Sequence, residues 1–207
     1  MLAAALAAHK CGRRVGHVEA GLRSYDRSMP EEINRILTDH LADHLFAPTG
    51  HARRILLGEG IAAGRIHVTG NTVVDEVLRQ RERARIPGLL ERFGVTPRSF
   101  ALATVHRAEN VENETRLRGI FYGLAGAGRA LGIPVLAALH PRTANKLDAR
   151  GLAVDGAVRR LPPLGYLEFL GLLAEAALTL TDSGGLQEEA CCLRVPCVTL
   201  RDNTERP

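Results

Sequence analysis

Tryptophan is absent from the 207 residues, and only three Tyr, five Phe and two Met are present. So few rings argue against a base-stacking platform for single-stranded nucleic acid. Lysine is scarce as well: Lys10 and Lys146 are the only two, and arginine supplies the remaining positive charge. The net charge of +4 therefore arrives as guanidinium forks, which suit phosphate and carboxylate ligands. No basic run alternates with aromatics in the manner of nucleic-acid binders. Long apolar runs are missing too, since none approaches the roughly 20 residues of a membrane span. The opening MLAAALAA lacks a basic region before it and a cleavage site after it, so it does not read as a signal peptide. These absences predict a cytoplasmic protein with no nucleic-acid and no membrane partner. The cysteines, Cys11, Cys191, Cys192 and Cys197, form no CxxC pair, which predicts reduced and mostly buried thiols.

What is present is a regular alternation of helix-like and strand-like segments. Residues 1–10 read as a helix, 14–18 as a strand, and 30–44 as a helix with an apolar stripe at Ile33, Leu37 and Leu41. A strand at 44–48, a helix at 50–58 and a strand at 65–70 complete a first series, and the Arg- and Glu-rich stretch 72–93 reads as a solvated helical connector. The second series has strands at 99–105, 134–139, 157–161, 177–181 and 196–200, separated by helices at 114–131, 143–150, 166–175 and 184–193. Such alternation predicts an α/β fold of two Rossmann-like domains, each a parallel sheet flanked by helices. The expected division is 1–71 for a first domain, 72–97 for the connector and 98–207 for a second. Both ends read as cut, which predicts that both domains are incomplete.

In open parallel sheets ligands bind beyond the carboxyl ends of the strands. Four strand ends here carry reactive or anion-binding groups: Glu19, Gly21 and Arg23; His106, Arg107 and Glu109; His140, Pro141 and Arg142; and Asp182, Ser183, Gly184 and Gly185. The stretch DSGGLQEEA (182–190) offers two glycines for close backbone approach and a helix N-terminus for a phosphate, with Ser183 as cap or phosphate ligand. Glu189 is placed to accept hydrogen bonds from ribose hydroxyls. Glu31 and Glu32 open a helix, where acids complement its dipole; facing Glu19, they would also permit acid/base chemistry at one carbon. His106 reads as a base or phosphate contact. His40 and His44 are spaced as a metal pair, but no third ligand accompanies them, so no metal is expected.

The blocks HVEAGLRS (17–24), PEEINR (30–35), TGNTVVD (69–75), ATVHRAEN (103–110), LTDSGGLQEEA (180–190) and RDNTERP (201–207) occur in this order. Together they resemble the non-hydrolysing UDP-N-acetylglucosamine 2-epimerases along essentially the whole chain. The resemblance implies a GT-B-like fold with a UDP-sugar between two Rossmann-like domains. It also implies interconversion of UDP-GlcNAc and UDP-ManNAc by elimination and re-addition of UDP, without cofactor or metal, in a protein that is a homodimer at full length. By motif, Glu19 and Glu31 would be the acid/base carboxylates, and His106 would contact the diphosphate and assist departure of UDP. Ser183, Gly184 and Gly185 would hold phosphate, Glu189 the ribose, Phe169 the border of the uracil pocket, and Arg206 the nucleotide side. Arg35, Arg107, His140 and Arg142 are further anion contacts, and Arg107 and His140 would lie near the second, activating UDP-GlcNAc of some bacterial members.

The chain departs from the family pattern in lacking its glycine-rich amino-terminal segment, a catalytic aspartate before the first helix, and the closing carboxyl-terminal helices. Where some members carry a glutamine, it has Leu164 and Gly165. These departures predict that the 207 residues alone are inactive or feeble. The alternatives are a GT-B glycosyltransferase, which has no need of the paired HVEAGLR and PEE acids, a hydrolysing 2-epimerase, an epimerase for a di-N-acetylated uronic acid, and a nucleotide-sugar-binding remnant without turnover.

Overall fold

The computed structural model describes residues 1–152 and 155–206; Pro207, the last residue of the RDNTERP block, lies outside them. The chain divides into two compact units, Met1–Thr72 with Asn203–Pro207, and Val73–Asp202. The segment expected to be a helical connector, 72–97, falls from residue 73 onward within the second unit, and residues 203–206 belong to the first.

The first unit runs α1 (Leu2–Lys10), β1 (Gly16–Val18), α2 (Pro30–Leu41), β2 (His44–Ala47), α3 (Gly50–Gly58) and β3 (Ile66–Val68). Its three strands are parallel in the order β1-β2-β3, with His17 opposite Leu45 and Leu45 opposite Ile66. Leu45, Ala47, Leu56, Ile61 and Ile66 form its core. Thr49 starts α3 by accepting a hydrogen bond from Ala52 N at 3.1 Å, as an N-cap does. The buried face of α2 is not its apolar stripe. Leu37 is 48% exposed, whereas Glu32, Thr38 and Asp39 are buried. Periodicity fails here because that helix packs its polar groups against charged and hydroxyl partners in the loop after β1.

The second unit runs α4 (Thr72–Gln80), α5 (Leu89–Arg92), β4 (Ala101–Thr104), α6 (Ala108–Val111), α7 (Glu114–Leu131), β5 (Val135–Ala137), α8 (Pro141–Ala149), β6 (Val158–Arg160), α9 (Tyr166–Glu175), β7 (Leu178–Thr181), α10 (Gly184–Leu193) and β8 (Cys197–Thr199). Its five parallel strands are ordered β6-β5-β4-β7-β8. Both sheet faces are covered, as parallel sheets require. Ala101 and Ala103 pack with Leu117, Phe121 and Leu124 of α7 on one side. Phe100 and Leu102 pack with Leu172, Leu173, Leu186 and Ala190 of α9 and α10 on the other. The 72–93 stretch is not one solvated helix: α4 ends at Gln80, and Val77 and Ala84 are buried against Leu170. Gly171 makes that packing possible, because a Cβ there would stand 2.4 Å from the Ala84 carbonyl oxygen.

The two parallel-sheet units, flanked by helices, are those of a GT-B-like α/β protein. The thiols correct another expectation: Cys11, Cys191 and Cys197 are exposed and Cys192 is half-buried. They sit at a helix end, on an outer helix face and on edge strand β8, positions that spacing between cysteines does not reveal. Among the described residues, no helix is long and apolar enough to cross a membrane.

Gly21 is the most tightly enclosed glycine described in the first unit. Its φ is +81°, and a Cβ would lie 2.5 Å from Ala52 O and 2.9 Å from Leu56 Cγ. Gly60 has the same left-handed backbone (φ +85°) with open space around it. Urea unfolding should therefore show Gly60→Ala losing about 1–2 kcal/mol for the left-handed residue. Gly21→Ala should lose about 1–3 kcal/mol more for the forced contact. Equal losses would show that the loop at Gly21 yields freely.

Candidate functional site

In the second unit the chain winds outward from β4 in both directions, first to β5 and β6, then back to β7 and β8. The carboxyl ends of β4 and β7 are thus the topological switch point, where an α/β sheet leaves a crevice for a ligand. A cavity of about 510 Å³ opens there, lined by residues following β4, β5, β6 and β7. Four elements supply its chemistry.

Asp182, directly after β7, is fully buried, and its carboxylate gathers donors from the end of β4. It accepts from His106 N at 3.0 and 3.1 Å, Arg107 N at 2.9 Å, and Asn110 Nδ2 at 3.0 Å. His106 Nδ1 lies 2.8 Å from its other face. Burial alone would raise the Asp182 pKa, but the bonds from His106, Asn110 and Arg107 outweigh it and hold the carboxyl below its ordinary value. His106, thus anchored, lines the cavity.

Two helices begin at the same cavity. Ser183 caps α10, its hydroxyl accepting from Leu186 N at 3.3 Å, with Gly184 and Gly185 as the first helical residues. His140 caps α8, Nδ1 accepting from Arg142 N at 3.2 Å, with Pro141 at the first position. Neither helix has an acid in its first turn. Both present unneutralised positive dipole ends, a setting for an anion. The apolar wall consists of Leu139, Pro162, Pro163, Leu164 and Phe169. Glu189 also lines the cavity, and burial raises its pKa, opposed by a hydrogen bond from Tyr166.

In the first unit the loop after β1 carries the HVEAGLRS block. Glu19 has a left-handed backbone, φ 62°, unusual for a side chain of its size. Its Oε2 receives a hydrogen bond from Arg206 Nη2 at 3.0 Å. The loop is pinned from beneath by Asp39 of α2, which is fully buried. Asp39 accepts from Gly21 N at 3.1 Å, pairs with Arg23 Nη1 at 2.7 Å, and meets His17 Nδ1 at 2.6 Å. Arg23 also forks onto Glu59, through Nε at 2.8 Å and Nη2 at 2.7 Å. Burial works to lower the Arg23 pKa, and its bonds to Glu59 and Asp39 more than reverse that. Arg23 is thus a buried member of an ion-pair network and not a solvated surface cation. Glu32 accepts from Ser24 N, Ser24 Oγ and Tyr25 N, each at 3.0 Å. Glu31, beside it, stands exposed.

The sequence profile described as UDP-N-acetylglucosamine 2-epimerase matches residues 1–207. The chain belongs to the UDP-N-acetylglucosamine 2-epimerase family. It is 46% identical over its whole length to a UDP-N-acetylglucosamine 2-epimerase of Methanococcus maripaludis, of which it covers 58%. It is 45% identical over 99% of its length to the UDP-2,3-diacetamido-2,3-dideoxy-D-glucuronate 2-epimerase of Pseudomonas aeruginosa, covering 56% of that protein. The crystal structure of the Methanocaldococcus jannaschii UDP-GlcNAc 2-epimerase in complex with UDP-GlcNAc and UDP superposes with a TM-score of 0.91 at 48% identity, over 100% of this chain and 58% of that one. The chain thus spans somewhat more than half the length of these relatives.

Against this family frame, His106, His140, Phe169, Ser183, Gly185 and Glu189 share the cavity, and Gly184 lies in the α10 turn between two of them. Arg107 contributes backbone N–H to Asp182, and its Nε donates to Asp182 O at 3.2 Å. Arg142 does not join them: its guanidinium is held by Glu112, which also receives Lys146. Glu19, Arg35 and Arg206 belong to the first unit, Arg35 with Nη2 3.2 Å from Glu32. Sequence reasoning placed Asp182 at a strand end but gave it no role, and it passed over Asn110, Tyr166 and Asp39 as site-building residues. For Asp182 the signal was there, an acid at a strand end directly before a capped helix; for Tyr166 none was.

Tyr166 binds Glu189, and its pKa is pushed up to about 12, first by burial and then by the Glu189 charge and hydrogen bond. A phenol raised in the folded state contributes stability that is complete below pH 10 and lost as pH rises through about 12. Absorbance at 295 nm should therefore reveal one late-titrating tyrosine. Tyr166→Phe should delete that step, and Glu189→Gln should move it part of the way back toward 10. A step unmoved in Glu189→Gln would break the pairing.

Proposed function

We propose that the full-length protein interconverts UDP-N-acetylglucosamine and UDP-N-acetylmannosamine without hydrolysis, by removing the C2 proton, eliminating UDP and adding it back after protonation on the opposite face. The observation that carries this reading is the switch-point cavity: two helix N-termini and a carboxylate-anchored His106 converge on one space, in a chain whose relatives are named as 2-epimerases acting on UDP-sugars. A diphosphate needs such donors, and elimination needs a group able to stabilise the departing oxygen.

In this reading Ser183, Gly184 and Gly185 receive phosphate at the head of α10. Glu189 accepts from the ribose, and Phe169 borders the base. His106, assisted by His140 and Arg107, meets the diphosphate. Glu19 and Glu31 exchange the C2 proton on the two faces of the sugar. The strained backbone at Glu19 supports a functional assignment, because such conformations persist where the surroundings over-determine them. Arg206 and Arg35 steady the carboxylate side. Arg142, already held by Glu112, drops out of the anion set.

A second reading has one observation behind it: identity to the diacetamido-glucuronate epimerase is within a point of that to the N-acetylglucosamine enzyme. The same C2 elimination serves both sugars, so only the substrate differs.

The deciding experiment incubates the full-length protein with each UDP-sugar in deuterium oxide and follows C2 by proton NMR. UDP-ManNAc carrying deuterium at C2 is expected from UDP-GlcNAc, and Glu19→Gln should slow its formation by about 10²–10⁴-fold. Release of free sugar would assign a hydrolysing enzyme instead. Intact, unexchanged substrate in both reactions would sink the epimerase reading.

A further inference from the structure

We infer that Asp182 is the positioning residue for His106, fixing its imidazole as the Nδ1–H tautomer so that Nε2 alone serves the leaving diphosphate. This rests on the proposed contact between His106 and the diphosphate and adds a residue to it.

The hydrogen-bond inventory makes the assignment. Asp182 is touched by the backbone N–H groups of His106 and Arg107, which can only donate. Its third partner is Asn110 Nδ2, whose orientation is fixed independently, since the same nitrogen donates to the Leu200 carbonyl at 2.9 Å. An amide oxygen in that place would face two acceptors, so the NH₂ group stands there. Asp182 is consequently surrounded by donors, with no acceptor calling for a carboxyl proton. A fully buried, ionised carboxylate 2.8 Å from His106 Nδ1 requires that this nitrogen carry its hydrogen. Nε2 is then the lone-pair nitrogen of the neutral ring and the second N–H of the imidazolium.

The chemistry follows with its protons accounted for. As the C2–H bond breaks, the proton passes to a carboxylate base and the electron pair forms the C1–C2 double bond. The C1–O bond breaks, and its pair goes to the diphosphate oxygen, which takes a proton from Nε2 of the imidazolium. The ring left behind is the Nδ1–H tautomer, the form Asp182 holds. On re-addition the C1–C2 double-bond pair takes a proton at C2 from a carboxylic acid on the opposite face, the diphosphate oxygen attacks C1, and its proton returns to Nε2. An ionised Asp182 favours the imidazolium by charge and the neutral product by hydrogen bonding, so the ring need not turn during the cycle. Replacing a carboxylate by its amide at the corresponding position of a Ser-His-Asp triad lowers kcat about 10⁴-fold by enforcing the wrong tautomer.

Two measurements test this. In the full-length wild-type protein, the nitrogen-15 shifts of His106, assigned by their loss in His106→Gln, should report an unprotonated Nε2 when the ring is neutral. Asp182→Asn should lower kcat at least about 100-fold with KM and UDP affinity within about threefold, and should invert the tautomer. An Nε2–H ring in the wild type overturns the inference even if Asp182→Asn fails to fold. Unchanged kcat in a folded Asp182→Asn protein overturns it as well. His106→Gln separates the two layers: full turnover there would remove the diphosphate role of His106 itself. Lost turnover beside an unaffected Asp182→Asn would remove only the part assigned to Asp182.

Discussion

A negative charge buried without water is tolerated only where donors surround it, and Asp182 meets that condition with His106, Arg107 and Asn110. The consequence is geometric. The end of β4, the short helix α6 and the end of β7 cannot move independently while one carboxylate holds all of them. Thr104 and Thr181, neighbours in the sheet register, join their hydroxyls at 2.6 Å just before the loops diverge, and Thr181 Oγ1 accepts from Ser183 N at 2.9 Å. The switch point is therefore closed beneath by polar cross-links and open above. That is why the cavity forms there and why His106 has a fixed base.

The first unit solves the same problem with the same parts. Asp39, also fully buried, collects Gly21 N, Arg23 and His17 Nδ1, and so ties the loop after β1 to α2. Arg23 extends the chain of charge to Glu59. In both units a buried aspartate holds a histidine through Nδ1 and a loop through its backbone, at the carboxyl end of a parallel strand. The difference lies in which histidine remains accessible. His17 is 6% exposed and serves the fold, whereas His106 has 44% of its side chain exposed and lines a cavity. Similar anchoring chemistry thus yields a buried brace in one unit and a cavity-facing imidazole in the other.

This distinction explains what the sequence disclosed. Alternating apolar runs gave the strands and helices nearly to their ends, because covered parallel strands and amphipathic helices are written in local pattern. The strand-end rule gathers His106, His140, Asp182 and Ser183 at one sheet edge, and Glu189 follows from its place in the helix after Ser183. It did not tell Glu31 from Glu32 or reveal that Asp39 lies in the core. Burial of a charge depends on partners far along the chain, such as Arg23 and Glu59 around Asp39, and no window of residues contains them. Arg142 illustrates a partner that the sequence did not show. Its strand-end position was right for an anion ligand, yet Glu112 and the α8 surface claim it.

The pairing of Glu31 with Glu32 shows how adjacent identical residues come to do opposite work. Successive helical residues point about 100° apart, so only one of the two can face the loop after β1. Glu32 does so, and three donors from Ser24 and Tyr25 fix both its oxygens. Loss of that carboxylate would leave two backbone N–H groups unmatched and free the segment that follows Glu19. Glu31 keeps solvent access and no such duties, which is the condition a proton-transferring carboxylate needs. The PEE block thus supplies one acid that holds the loop after β1 in shape, through Ser24 and Tyr25, and another left open to solvent.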